Sequence, residues 1–185
     1  MDFFGVICSE IAPFWLAKHL PESQAIVVKA EVVGAADRGE LSQHQLFESL
    51  SKITGTPADS IENEWLEYVH IDHRIVEMLR EWRNSVRIVL LTNSPAPLLR
   101  KIITDNNLID LFHAIVVSSE QGIAKPDRRI YEIALGMVEV RPGECLMIDD
   151  NQMNIQGAIS AGMRGLVFSS YEQLHRELSD EIRPS

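Results

Sequence analysis

The sequence has few cysteines and no long apolar run. Its 185 residues include two cysteines, Cys8 and Cys145, and each lies inside a short apolar stretch. Two isolated thiols supply neither a disulfide framework nor a cysteine-rich zinc cluster, and they are typical of a reducing compartment. The apolar stretches are far too short to cross a bilayer, and nothing at the start resembles a signal peptide. We therefore expect a cytoplasmic protein with no membrane partner.

Positive charge is also scarce. Seventeen Lys and Arg residues stand against 27 Asp and Glu residues, which gives a formal net charge of -10. Because no basic stripe offsets the repulsion of phosphates, we expect no nucleic-acid partner. The sequence also lacks a G-x-S-x-G elbow, a P-loop and a G-x-G-x-x-G fingerprint, so it offers no support for a serine hydrolase, an NTPase or a dinucleotide enzyme.

The second half of the chain alternates strand and helix patterns. At 45% hydrophobic composition, the chain can bury the core of one domain with a small insert. Repeated βα units predict a parallel sheet with helices on both faces, and ligands of such sheets lie at the carboxyl ends of the strands. The predicted strands are Ser85 to Leu91, Ala114 to Val117, Glu144 to Ile148 and Arg164 to Phe168; helices follow at Pro95 to Asn106 and from about Asp127, Asn151 and Tyr171.

The segment from Glu10 to His73 has a different pattern. It predicts helices without strands, interrupted at Pro21, Gly34, Gly39 and the sequence Gly55-Thr56-Pro57. The residues before it present an oddity, because Asp2 is preceded by Met1 alone. A central parallel strand normally contains several apolar residues. If Asp2 ends a strand, we expect that this first strand is truncated.

Four short segments fall where strands should end, and each offers a group that phosphoryl transfer needs. A carboxylate such as Asp2 can attack phosphorus and split hydrolysis into two easier steps. A hydroxyl and the amides at a helix start can hold phosphoryl oxygens, and a lysine adds a point charge. The candidate residues are Asp2, Thr92 and Asn93, Lys125, and the pair Asp149 and Asp150.

The adjacent carboxylates Asp149 and Asp150 predict a metal site. Two neighbouring carboxylates at a strand end repel each other unless a cation neutralises them, and oxygen ligands of this kind suit Mg²⁺. Asp2 is then a further ligand. The metal would offset the repulsion between a carboxylate nucleophile and an anionic substrate.

These segments carry a family resemblance. DFFGVI, LLTNS, SSEQGIAKPDRRIYEIAL and CLMIDDNQMNIQGAISAGM resemble, in this order, the four motifs of the haloacid dehalogenase superfamily, and the similarity spans nearly the whole chain. The resemblance implies an α/β fold, a Rossmann-like three-layer parallel sheet, with a small helical cap inserted after the first motif. The expected core is residues 1–9 and 74–185, and the expected cap is residues 10–73.

The resemblance also implies a role for each site residue. Asp2 is expected to be the nucleophile, Lys125 a catalytic and substrate-binding charge, and Thr92 with Asn93 the remaining substrate-binding residues. Asp2, Asp149 and Asp150 are expected to bind Mg²⁺. The implied protein is a magnesium-dependent phosphatase of a small phosphorylated molecule, acting as a monomer or a homodimer.

One residue departs from the family pattern. The family's phosphatases usually carry a second aspartate two residues after the nucleophile, which protonates the leaving group and then activates water. This sequence has Phe4 there, although its backbone carbonyl can still bind the metal. General acid/base help is worth ~10²–10⁴ in rate. We therefore expect a preference for leaving groups that need no proton, such as acyl or aryl phosphates.

Two other functions fit the same residues. A 2-haloacid dehalogenase needs no acid because halide leaves unaided, and the family's dehalogenases are similar to this chain in carrying an aromatic residue where Phe4 stands. The paired carboxylates Asp149 and Asp150 count against it, since they would repel a carboxylate substrate in the absence of a metal. The second alternative is a catalytically impaired relic that binds phosphate or regulates another protein.

Overall fold

The computed structural model describes residues 1–178 and residue 182. Four short parallel strands form two pairs. β1 (Val89–Thr92) pairs with β2 (Ala114–Val117), and β3 (Leu146–Asp149) pairs with β4 (Arg164–Val167). The β-branched and aliphatic residues of β1, β2 and β3 fit a sheet buried on both faces, whereas β4 begins with the exposed Arg164 and Gly165.

Met1 and Asp2 join the two strand pairs. The Met1 nitrogen donates to the Val89 carbonyl at 2.8 Å, and Leu91 N donates to the Met1 carbonyl at 2.9 Å. On the other side, Asp2 N donates to the Ile148 carbonyl at 2.8 Å. This bonding places residues 1 and 2 between β1 and β3, so the spatial order is β2, β1, residues 1–2, β3, β4.

Helices cover both faces of this sheet. On one face, apolar residues of α6 (His73–Trp82), α7 (Ala96–Asp105) and α11 (Tyr171–Leu178) are buried with Leu90. On the other face, α9 (Arg128–Gly136) and α10 (Gln152–Ser160) are buried with Leu91. Neighbouring strand residues point to opposite faces, so both layers follow from the strand pattern. The predicted three-layer α/β fold is confirmed.

The βα units follow the predicted positions with two shifts. The strand predicted from Ser85 begins at Val89, because only Val89–Thr92 pair with β2. The strand predicted from Glu144 begins at Leu146, since Pro142–Glu144 form a 3₁₀ turn. Two further short elements complete this half, a 3₁₀ turn at Ile109–Leu111 and the one-turn helix α8 at Ser118–Gln121.

Residues 10–73, which we call the helical segment, contain α1 to α5 without a ladder strand. A buried apolar set that includes Trp15, Leu46, Leu50, Ile61 and Trp65 holds these helices together. The elements are α1 (Ala12–His19), α2 (Glu22–Val28), a π-helical turn (Lys29–Val33), α3 (Gly34–Asp37), α4 (Gln43–Thr54) and α5 (Ala58–Leu66). No helix in the described residues is both long and apolar enough to span a membrane.

The predicted interruptions of the helical segment are confirmed except at Gly34. Pro21 precedes α2, and both Gly39 and Gly55 have positive φ values, +73° and +79°, at turns. The predicted break at Gly34 is wrong, because the π-helical turn connects α2 to α3 without an interruption. A π turn accommodates an extra residue inside a helix, and Gly34 directly follows it as the first residue of α3, so the helix continues through the glycine.

The polypeptide enters and leaves the helical segment through two stretches that run side by side. Cys8 and Ile71 form an antiparallel bridge. Ser9 N donates to the His70 carbonyl at 3.0 Å, and Asp72 N donates to the Ile7 carbonyl at 2.9 Å. The division into a core of residues 1–9 and 74–185 and a cap of residues 10–73 stays a prediction, but the two connections are adjacent, as an inserted unit requires.

Candidate active site

The predicted site residues meet at the carboxyl edge of the sheet. β1 ends at Thr92 and β3 ends at Asp149, while Asp2 lies between these two strands. Asp2 is 7% exposed, and Thr92 and Asp149 are fully buried. Carboxylates at this depth are stable only when they are paired or bonded.

Lys125 supplies the pairing charge. Its Nζ lies 2.8 Å from Asp2 Oδ2 and 2.6 Å from Asp149 Oδ2. Burial disfavours the ammonium form, but the two carboxylates together raise the pKa of Lys125 above its ordinary value. Lys125 is therefore a fully buried cation that bridges the two strand ends.

Asn93 positions Lys125 through its main chain. Lys125 N donates to Asn93 Oδ1 at 2.9 Å, and Asn93 Nδ2 donates to the Lys125 carbonyl at 3.0 Å. This reciprocal pair links the loop after β1 to the loop that carries Lys125. Both polar groups of the Asn93 side chain bond to Lys125. The main-chain amide of Asn93 is therefore the group that could contact the substrate directly.

The loop after β3 fixes Asp149. Asn151 N donates to Asp149 Oδ1 at 2.9 Å, and Asn154 Nδ2 lies 3.0 Å from Asp149 Oδ1 and 3.1 Å from Oδ2. Asn154 is buried on the first turn of α10, a position from which its amide returns to the strand end. These donors hold the Asp149 carboxylate in one orientation toward Lys125.

Three carboxylates converge beside Lys125. One oxygen each from Asp2, Asp149 and Asp150 lies within 4.8 Å of the others. Burial, followed by repulsion from Asp149, raises the pKa of Asp150, and burial raises the pKa of Asp2 to about 7 although Lys125 lowers it. One lysine does not balance three carboxylates, so the cluster has excess negative charge that a divalent cation would neutralise.

The loop that follows Asp2 lies against this cluster. A Cβ added at Gly5, whose φ is +76°, would stand 2.3 Å from Asp150 Oδ2. The neighbouring Phe4 precedes this glycine, and the role of its carbonyl as a metal ligand stays a prediction. An all-oxygen donor set of this density is what Mg²⁺ and other hard cations prefer, so the residues fit the predicted ion.

The Thr92 hydroxyl has no hydrogen-bond partner among the described residues, although it is completely buried. It lies beside the Asp2 carboxyl and lowers the pKa of that group by pointing a donor toward it, although no well-formed hydrogen bond joins the two side chains. Buried hydroxyls are normally satisfied, and one left unpaired beside a carboxylate is suited to a ligand oxygen. The predicted phosphate contact of Thr92 agrees with this vacant bonding capacity.

Side chains of the helical segment also reach the site, and sequence reasoning did not identify them. Asp37 is 8% exposed, and its Oδ2 lies 3.9 Å from Lys29 Nζ. Burial raises the pKa of both Asp37 and Glu10, and the Glu10 carboxyl is further influenced by Lys29, Asp150 and Asp37. No local motif marks these residues, because their proximity to the strand ends depends on how the helices pack.

A buried lysine between two strand-end aspartates, beside a third carboxylate, is an arrangement that could offer a carboxylate nucleophile and bind a hard cation. The sequence profile of the haloacid dehalogenase-like hydrolase family matches residues 1–162. This chain belongs to that family.

Individual relatives are phosphatases. The chain is 34% identical to N-acylneuraminate-9-phosphatase of Rattus norvegicus over 139 residues, which are 75% of this chain and 51% of that protein. It is 30% identical over 165 residues to phosphoserine phosphatase of Thermus thermophilus, covering 85% of this chain and 63% of that protein. The chain thus spans between half and two thirds of these relatives.

Solved structures show the same fold. A haloacid dehalogenase family enzyme from Bacteroides thetaiotaomicron superimposes with a TM-score of 0.80 at 17% identity, covering 96% of this chain and 95% of that one. That enzyme has also been crystallised with magnesium and inorganic phosphate, and this form gives a TM-score of 0.75 at 20% identity, covering 94% and 96% of the two chains.

Proposed function

We propose that this protein is a magnesium-dependent phosphatase that acts on a small phosphorylated metabolite through an aspartyl-phosphate at Asp2. The observation that carries the proposal is the convergence of Asp2, Asp149 and Asp150 within 4.8 Å beside the buried Lys125. Membership of the hydrolase family and the similarity to phosphatases agree with it.

Each residue then has a defined task. An Asp2 carboxylate oxygen attacks phosphorus, and Lys125 stabilises negative charge on the nucleophile and on the transferred phosphoryl group. The Thr92 hydroxyl donates to a phosphoryl oxygen. Asp2, Asp149, Asp150 and the Phe4 carbonyl would hold Mg²⁺, which when bound would screen the nucleophile from the anionic substrate.

The site is suited to a dianionic phosphate rather than to a larger anion. The nucleophile is nearly enclosed, and the fully buried Thr92 lies beside it, so space at the reacting centre is small. The leaving group would extend toward the helical segment, where Glu10, Lys29 and Asp37 lie. Small phosphorylated metabolites with a polar leaving group are the substrate class that this arrangement fits.

Turnover of 4-nitrophenyl phosphate tests the proposal, because its phenolate leaves without a proton. We expect hydrolysis that requires Mg²⁺ and that Asp2→Asn lowers by about 10³-fold or more, since the covalent route is removed. Asp105→Asn is the matched control, because that carboxylate pairs with Lys101 on the exposed face of α7 and should be silent.

Two results would contradict the proposal. Full activity in Asp2→Asn would remove the nucleophile assignment. Binding of vanadate or inorganic phosphate without turnover of any activated phosphate would instead indicate a phosphate-binding relic.

A further inference from the structure

The Asp37 carboxyl is a buried acid that the proposed reaction does not yet use. Its side chain is 11% exposed, and the described part of the chain offers its carboxylate no hydrogen bond. The nearest cation is Lys29, at 3.9 Å, whose own side chain is 41% exposed and is therefore held loosely. A buried carboxyl without a bonded partner is costly, and it is found where a ligand or a proton completes it.

The Asp37 main chain is tied to the loop proposed to hold phosphate. Ser118 Oγ donates to the Asp37 carbonyl at 2.5 Å and accepts from Ser94 N at 3.0 Å. Ser118 is fully buried at the start of α8. One hydroxyl thus connects the end of α3 to Ser94, the residue that lies two positions after Thr92.

A second contact supports the same docking. Gly39 approaches the Ser119 carbonyl so closely that an added Cβ would lie 2.4 Å from the carbonyl oxygen. Ser119 Oγ in turn accepts from Ala96 N, the first residue of α7, at 2.9 Å. Ser118 and Ser119 therefore attach the end of α3 and the turn that follows it to the loop between β1 and α7.

The reaction at Asp2 lacks a proton donor at the position two residues later. Phe4 has no ionisable group, and an alkoxide without a proton is a poor leaving group. The helical segment contacts this edge of the sheet where Asp37 and Gly39 meet Ser118 and Ser119, and we expect the leaving group to face it. An acid that serves the leaving group can therefore come from that segment rather than from the loop after Asp2.

We propose that Asp37 is the general acid and base of this phosphatase and takes the place that Phe4 leaves vacant. The inference rests on the proposed function. In the first step, Asp2 Oδ bonds to phosphorus as the bond from phosphorus to the leaving oxygen breaks, and the Asp37 carboxyl gives its proton to that oxygen. In the second, the Asp37 carboxylate takes a proton from water as the water oxygen bonds to phosphorus and Asp2 is released.

The electrostatic surroundings of Asp37 suit both steps. Burial raises its pKa, which favours the protonated donor, while Lys29, Lys125 and Arg38 lower the pKa and so stabilise the carboxylate left after donation. Glu10 faces the same group, and repulsion from Asp37 is among the causes that raise the pKa of Glu10. A general acid works best when its two forms are close in free energy at the working pH.

Glu10 is the competing acid in this cluster. It is more exposed than Asp37, and repulsion from Asp150 is among the causes of its raised pKa. A carboxylate that faces the metal ligands is placed over the nucleophile side of the site. Asp37 is instead held through Ser118 from the loop after β1, and this tether favours Asp37 for the leaving group.

A pair of substrates with different leaving groups tests the role. We expect Asp37→Asn to lower kcat/KM for benzyl phosphate by about 10²–10³-fold, and for 4-nitrophenyl phosphate by less than about 3-fold, since only the alkoxide needs a proton. The value of kcat/KM depends only on the steps up to the first irreversible one, which here is phosphoryl transfer to Asp2. The later attack of water on the aspartyl-phosphate therefore does not affect it. Glu10→Gln is the matched control and should change the two substrates by the same factor.

A rescue experiment shows whether Asp37→Asn loses activity because a proton donor is missing or because the structure has changed. Introducing the family's usual acid in the double variant Phe4→Asp with Asp37→Asn should restore benzyl phosphate turnover at least 10-fold over Asp37→Asn alone.

The single variant Asp37→Asn should also accumulate aspartyl-phosphate from 4-nitrophenyl phosphate, because the attack of water on this intermediate is slowed. With Asp37 as acid, the preference for activated leaving groups expected from the sequence would be small in the unmodified protein.

The outcomes are distinguishable from those of the proposed function. Equal losses on both substrates in Asp37→Asn, or a selective loss in Glu10→Gln instead, would overturn the role of Asp37 while leaving the phosphatase intact. An unmodified protein that turns over 4-nitrophenyl phosphate but not benzyl phosphate would also overturn it. Failure to turn over either ester would contradict both the function and the inference.

Discussion

The carboxyl edge of the sheet and the helical segment contribute to the site in different ways. At the sheet edge, Asp2, Lys125 and Asp149 form a closed set of short contacts, with Lys125 Nζ within 2.8 Å of both carboxylates. In the helical segment, the buried Asp37 carboxylate lies 3.9 Å from its nearest ion-pair partner, Lys29. We infer that the sheet edge holds fixed charges, whereas the helical segment supplies groups that exchange protons or bind substrate.

Removing the central cation should produce the largest effect on stability. We expect Lys125→Met to lower the free energy of unfolding by about 3–5 kcal/mol, because it leaves Asp2 and Asp149 buried without a counter-ion. Urea denaturation measures this loss. Lys101→Met is the control, since Lys101 pairs with Asp105 on an exposed helix face and should cost about 0.5 kcal/mol. Similar losses in the two variants would show that Lys125 does not stabilise the buried carboxylates at the sheet edge.

Magnesium should stabilise the sheet edge in a pH-dependent way. Burial raises the pKa of Asp2 to about 7 in the metal-free protein. A carboxyl whose pKa is raised on folding adds stability below about pH 4, and that contribution is lost as the pH rises toward 7. The metal requires the ionised form, so Mg²⁺ stabilisation should increase over the same range.

Thermal unfolding with and without Mg²⁺ measures this behaviour. At 100 times the Kd the ion should add about 2.7 kcal/mol at pH 8, and clearly less at pH 5. Asp149→Asn should abolish the increment, while Asp105→Asn should retain it. An increment that is equal at the two pH values, or that survives in Asp149→Asn, would contradict a site formed by these carboxylates.

A paired glycine substitution tests how the helical segment docks. Gly39 and Gly55 both have positive φ, so Ala at either position should cost roughly 1–2 kcal/mol of backbone strain. Gly39 also abuts the Ser119 carbonyl, whereas nothing lies within 4 Å of a Cβ at Gly55. We expect only Gly39→Ala to impair turnover of benzyl phosphate, and equal kinetics in the two variants would argue against docking through Ser119.

The smallest expected effect is that of Ser118→Ala. This change removes the bond to the Asp37 carbonyl but keeps the carboxyl, and one hydrogen bond is worth about 0.5–1.5 kcal/mol. We therefore expect benzyl phosphate kcat/KM to fall by roughly 2-fold to 10-fold, with 4-nitrophenyl phosphate unchanged. A loss as large as that of Asp37→Asn would mean that the position of α3, rather than the acid, limits the rate.

The same contrast explains what the sequence predicted. Parallel strands all end at one edge of a sheet, so strand-end residues such as Thr92 and Asp149 could be brought together from strand patterns alone. The contact between Ser118 and Asp37 joins positions 81 residues apart, and nothing in the local sequence predicts it. The local sequence also did not predict that the helix continues through Gly34. A glycine that follows a π turn within a continuous helix looks, in sequence, the same as a glycine that ends one.

The role of Asn93 shows a second limit. Its position after β1 suggested a direct substrate contact, but its side chain bonds both main-chain groups of Lys125, which lies 32 residues further on. The position of Asn93 in its motif predicted that it lies beside Lys125 at the candidate site, and its contact with substrate stays a prediction. Its partner depended on the loop conformation, which local sequence does not specify.

Chemical trapping of the intermediate tests the central claim most directly. The enzyme would be mixed with 4-nitrophenyl phosphate and Mg²⁺, quenched in acid, reduced with borohydride and digested, and the peptide that contains residues 1–18 would be sequenced by mass spectrometry. An aspartyl-phosphate at position 2 predicts conversion of Asp2 to homoserine that depends on substrate. An unmodified Asp2 during steady turnover, or homoserine at another aspartate, would contradict the account.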